Sequence, residues 1–123
     1  MNLLPGDVEV GRRESARLAL AIEHARDAAW FGGHATAVSF DDSRMREWRL
    51  TRDKWEADAA RESPLDAARV TAVSVEGQPL QAGDRLVFLP DGLGVPFRVG
   101  LDVRGLPWAI EGDAAGAVTV VGQ

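Results

Sequence analysis

Residues 15–40 read SARLALAIEHARDAAWFGGHATAVSF, and a change of period inside this stretch decides the fold class. Leu18, Ile22, Ala25 and Ala29 recur at the spacing of one helical stripe, which predicts an amphipathic α-helix over about 12–31. Arg17, Glu23, Arg26 and Asp27 fall on its polar side. Gly32-Gly33 is the expected stop, because glycine enters the left-handed conformation without a Cβ clash, and Pro5 and Gly6 are expected to precede the helix. After Gly33 the period drops to two: Val38 and Phe40 alternate with Ala37 and Ser39, as in a strand.

The same alternation continues downstream. Asp41-Asp42-Ser43 supplies turn chemistry, and Trp48 and Leu50 alternate with Glu47 and Arg49. A hairpin follows, with Trp48 and Leu50 expected toward the core and Arg49 toward solvent. Arg52-Asp53 reads as the next turn, before a short strand around Trp55. The polar, alanine-containing residues 57–68, broken by Ser63-Pro64, read as a connecting loop with one irregular turn. Strands are predicted over 69–76, 85–89, 108–111 and 118–121. The clearest is 97–103, where Phe97, Val99, Leu101 and Val103 face inward against Arg98, Gly100, Asp102 and Arg104. One helix followed by a β-rich region of about 34–121, with seven or eight short strands, is an α+β pattern with antiparallel sheets beside the helix.

With 123 residues, 46% of them hydrophobic, the chain can fill a core, and residues 1–123 are expected to form a single globular domain. The formal net charge is −5, and the excess acid lies in the second half: residues 1–61 sum to −1 and residues 62–123 to −4. General binding to phosphate backbones requires a basic surface, so no nucleic-acid partner is expected. The absence of cysteine excludes disulfides, thiolate catalysis and cysteine-held metals. No apolar run approaches the ~20 residues that span a bilayer, and the first residues lack the pattern of a signal peptide.

Chemistry finds little foothold. His24 and His34 are the only histidines, no Gly-x-Ser-x-Gly elbow exposes a serine, and both imidazoles read as solvated or helix-end groups. Asp41-Asp42 lacks the spacing of a calcium loop and reads as a turn. The glycines of 91–94 and 112–116 do not lie between a strand and a helix N-terminus, so they read as hairpin glycines rather than phosphate cradles. Arg44, Arg46, Arg49, Arg52 and Lys54, interleaved with Trp48 and Trp55, could stack on a single strand of nucleic acid, but acids lie among them and Trp48 is expected in the core. No catalytic, cofactor-binding or metal-ligating residue is assigned, and no enzyme activity is expected.

At residues 86–101, LVFLPDGLGVPFRVGL, with Phe88, Pro90, Gly92, Pro96, Phe97 and Leu101, the chain resembles the C-terminal hallmark of the GspH/FimT family, the H-type minor pseudopilins of bacterial type II secretion systems. Trp108 and the GDAAGAV of residues 112–118, with Gly112 and Gly116, are similar to the family's closing strands, and residues 15–40 to its passage from helix to first strand. Pro90 and Gly92 suit a reversal of the chain, and Pro96 a strand start where no ladder donor is needed.

The resemblance implies a pilin-like fold and a structural role. Such a subunit would carry a leader cut by prepilin peptidase and a hydrophobic helix anchoring it in the inner membrane. This chain would then be the soluble, periplasmic portion of a longer subunit, monomeric by itself. At the pseudopilus tip it would link other minor pseudopilins to the major pseudopilin during export of folded proteins across the outer membrane. Glu14, Arg17, Glu23 and Arg26 are the candidate subunit interface, at spacings that let helix charges meet a neighbour. A minor pilin of a type IV pilus (FimT/FimU-like) and a free-standing β-rich ligand-binding module are the alternatives. The module predicts an exposed tryptophan platform, whereas the pilin reading expects Trp48 and Trp108 mostly buried.

Overall fold

The computed structural model describes residues 5–81 and 83–122. The helix α1 spans Pro5–Gly32, about two turns longer at its start than the apolar stripe predicts. Pro5 and Gly6 do not precede the helix: they lie in its first turn, where proline's missing N–H has no carbonyl to lose. Gly11 lies inside the helix because a side chain there would run into the indole of Trp108. The expected stop holds, with Gly33 at a φ of 73° and its N–H donating to Ala29 O at 3.1 Å.

Among the described residues ten strands follow: β1 (Thr36–Phe40), β2 (Arg44–Thr51), β3 (Lys54–Ala57), β4 (Ser63–Pro64), β5 (Ala68–Val75), β6 (Gln78–Pro79), β7 (Leu86–Phe88), β8 (Phe97–Val103), β9 (Leu106–Gly112) and β10 (Val118–Val121). The two beyond the expected eight are the two-residue pieces β4 and β6. One of them lies within the predicted 57–68 loop, beside its single 3-10 turn at Ala59–Arg61.

The strands form two antiparallel sheets. The first has the order β3-β2-β1-β7, with β4 added to β2, and the second has the order β10-β9-β8-β5-β6. Three hairpin turns put non-glycine residues in the left-handed region, at Arg52-Asp53, Glu76-Gly77 and Arg104-Gly105, which matches the twist of the flanking strands. The architecture is the predicted α+β one, a pilin-like helix on antiparallel sheets.

Leu18, Ile22, Ala25 and Ala29 are all fully buried and meet Val38, Met45 and Leu86 from one sheet and Val99, Leu101, Val103 and Ile110 from the other. The 97–103 alternation is as read, with Phe97, Val99, Leu101 and Val103 buried and Arg98 and Arg104 exposed.

The β2 expectation is reversed. Met45 and Glu47 face the helix, and Trp48 points to the outer side of the sheet. Pairing fixes this: Val38 and Phe40 of β1 stand opposite Glu47 and Met45, so those four share the helix side, while Ala37 stands opposite Trp48. A buried glutamate is tolerated there because His24 of α1 reaches it.

Candidate functional site

At the C-terminal end of α1 the family-type loops converge. Asp91 caps its own loop by accepting Leu93 N–H at 3.0 Å, and Gly92 turns the chain at a φ of 79°. Gly94 then lies against the backbone of the 113–116 turn, its N–H donating to Ala114 O at 3.2 Å, and a Cβ at 94 would fall 2.6 Å from that oxygen. Gly112 lies flat against the Phe97 ring, which meets Phe88 edge to face at 6.0 Å. Gly116 leaves room for the indole of Trp30.

Arg26 seals this end. Its Nη1 donates to Gly116 O, its Nη2 pairs with Asp27 at 2.9 Å, and its guanidinium lies 4.9 Å from the centre of the Trp30 ring. Phe88, Phe97, Gly112 and Gly116 thus form one packing unit with the helix. Leu101 lies in the core beside it and Trp108 closes against Gly11 farther along. Pro90 and Pro96 flank the loop and are exposed.

The four helix charges divide between two flanks. Glu14 and Arg17 pair at 2.7 Å, and Arg17 also donates to Pro64 O at 2.6 Å, tying α1 to β4. Arg26 ties the opposite flank to the 113–116 turn, and Glu23, half-buried, has no ion-pair partner among the described residues. The outer face between these flanks shows two large apolar side chains, Leu20 at 66% exposure and Phe31 at 85%. Eleven residues apart, they lie three turns from each other on one line of the helix.

His24 is not a free surface group. Its Nδ1 lies 3.0 Å from Oε1 of Glu47, whose side chain is buried, so the pair joins α1 to the centre of the first sheet. Thr36 adds a second tie, donating to Ala25 O at 2.5 Å. Sequence patterns could not find the His24 contact, because it depends on which face of β2 meets the helix. His34 Nδ1–H donates to Gly32 O at 3.0 Å at the helix end.

Asp41 caps the β1–β2 turn by accepting Ser43 and Arg44 N–H at 2.8 and 3.0 Å, and these backbone donors, with the Ser43 hydroxyl and the Arg46 charge, hold its carboxyl below the ordinary range. A cleft of about 240 Å³ opens between that turn and β5, with Asp41, Asp42 and Asp84 on its wall. Asp84 is likewise engaged, accepting Gln81 N–H at 2.8 Å. Among the described residues no three His, Asp or Glu side chains gather as metal ligands, and no helix is long and apolar enough to cross a membrane.

On the outer side of the first sheet, Trp48 and Trp55 are half-buried beneath Arg85. Trp108, by contrast, is wedged against the helix, half-buried beside Gly11 and Gly122.

Two solved structures of the minor pseudopilin EpsH from the type II secretion system of Vibrio cholerae have this fold. One aligns with a TM-score of 0.66 at 16% identity, covering 94% of this chain and 97% of that one. The other aligns at the same TM-score and 17% identity, covering 89% and 94%. No curated protein sequence matches the chain. The family model for type II transport protein GspH matches residues 14–122, which include α1 from Glu14, both sheets and the two glycine loops, and the chain belongs to that family.

Proposed function

We propose that this chain is the periplasmic globular domain, over residues 1–123, of a minor pseudopilin held in the inner membrane and processed by prepilin peptidase. It acts at the tip of the type II secretion pseudopilus, joining other minor pseudopilins to the major pseudopilin during export of folded proteins. Its role is structural rather than catalytic. The observation that carries the reading is the outer face of α1. The helix fills its sheet side completely with Leu18, Ile22, Ala25 and Ala29, yet leaves Leu20 and Phe31 in the open. Two such side chains on one helical line suit burial against a neighbouring helix. Glu14 and Arg17 on one flank, and Glu23 and Arg26 on the other, would form the polar rim of that contact and set its register.

The test is co-purification of the membrane-anchored subunit with its minor and major pseudopilins. Leu20→Glu with Phe31→Glu should abolish capture and secretion while leaving the circular dichroism of the globular domain unchanged. Capture equal to that of the unaltered subunit would remove the helix face from the interface. Glu23→Lys should weaken capture less, as expected of a rim charge.

A further inference from the structure

The outward positions of β1, β2 and β3 carry the buried Ala37 and Ser39 and the half-buried Arg46, Trp48, Leu50 and Trp55, with no carboxylate among them, in a chain whose net charge is −5. Arg46 and its neighbour Arg44 are answered by Glu62, at 3.4 and 2.9 Å. Arg85 is not. It reaches in from the residues before β7, with its guanidinium carbon 4.3 Å from the centre of the Trp48 ring and 5.6 Å from that of Trp55. No ion pair or hydrogen bond from Arg85 to another described residue accompanies these ring contacts. Trp48 is itself fixed, because its Nε1–H donates to Ser39 Oγ at 2.9 Å.

A guanidinium placed over two indoles has lost much of its rotamer freedom while its N–H fork is unused. That is the preorganised half of a two-point contact with a carboxylate. The same placement argues against the other uses of a tryptophan pair. A sugar or a nucleic-acid base needs an open ring face, and here the guanidinium occupies it.

We propose that this sheet face binds an extended acidic segment of a partner protein, one carboxylate taking the Arg85 fork and an adjacent side chain lying over Leu50 and Trp55. The partner is identified by charge: the face offers a guanidinium unpaired among the described residues and no carboxylate from the outward positions of β1, β2 and β3, and so it favours acidic chains over basic ones. The inference goes beyond the assembly reading and uses the other side of the molecule from α1, so either can fail alone.

The probe is a capped heptapeptide of alternating threonine and glutamate, titrated into the protein at low salt and followed by tryptophan fluorescence. Its glutamine counterpart serves as the reference. The expected result is a saturable change with the glutamate peptide only, weakened about tenfold or more by Arg85→Gln, weakened by Trp55→Leu, and unaffected by Arg98→Gln on the second sheet. Circular dichroism of each variant establishes that it is folded. Equal responses to both peptides, no saturable response, or insensitivity to Arg85→Gln would overturn the proposal. So would a preference for oligothymidylate or for phosphatidylglycerol vesicles, or a dimer in sedimentation that Arg85→Gln dissolves, since each names a different occupant.

Discussion

Replacing Gly116 by alanine tests whether the convergence of loops on the helix end holds the fold together. Two separate penalties are expected. At a φ of +94°, a side chain of any kind strains the backbone, by about 1–2 kcal/mol. The new methyl would also enter the space of the Trp30 indole, and overpacking of this kind costs about 1–3 kcal/mol. Together they give about 2–5 kcal/mol, a drop in melting temperature of about 8–20 °C for a domain of this size. Gly92→Ala isolates the first penalty, because Gly92 has a φ of +79° with nothing within 4 Å of a Cβ, and should cost about 1–2 kcal/mol. Gly112→Ala isolates the second, because its φ is not left-handed and the nearest atoms to its methyl are those of the Phe97 ring. The assay is urea unfolding followed by far-ultraviolet circular dichroism, repeated in a Trp30→Leu background where the collision is relieved. If Gly116→Ala cost no more than Gly92→Ala, or cost the same with and without Trp30, the packing account of this motif would be wrong.

Two further outcomes follow from polar contacts. His24→Ala should destabilise by about 1–3 kcal/mol, because it leaves the buried Glu47 carboxylate without its imidazole partner, whereas Glu47→Gln should cost less; unfolding curves for the pair and their double variant would show strong non-additivity, and simple addition would refute the coupling. Asp41 titrates below the ordinary value of 3.8, chiefly through the Ser43 backbone N–H, so its turn-stabilising effect is fully present above that value and is lost as pH falls through the lowered one. A carboxyl chemical-shift titration should place its midpoint under 3.8, with Asp41→Asn removing this low-pH step in the β1–β2 turn.

What was legible in the chain was local periodicity. The helical stripe from Leu18 to Ala29, the β8 alternation and the β10 span Val118–Val121 appear where the sequence predicts them. The face of β2 was not legible, because side chains on both sides of the strand are at least partly buried. Period two says that Trp48 and Glu47 point opposite ways, but the choice between them depends on α1 and on Arg85, neither of which is near β2 in the chain. The helix start was missed for a similar reason: Gly11 looks like a defect in a helix until Trp108 lies beside it. Among the candidate interface charges, Arg17 and Arg26 fall on the polar side of the helix as read, but their carbonyl partners, Pro64 and Gly116, are 47 and 90 residues away and could not be found from local pattern.

The two indole contacts of α1 have a mechanical consequence. Trp108 bears on the helix at Gly11 and Trp30 bears on the turn at Gly116, so both grips, near opposite ends of α1, connect it to the last strands of the chain. The polar ties to the first sheet, at Arg17, His24 and Thr36, lie between those grips. A pull along the helix axis would therefore pass into β9 near one end of α1 and into the turn before β10 near the other, with the first sheet taking its share through the polar ties between.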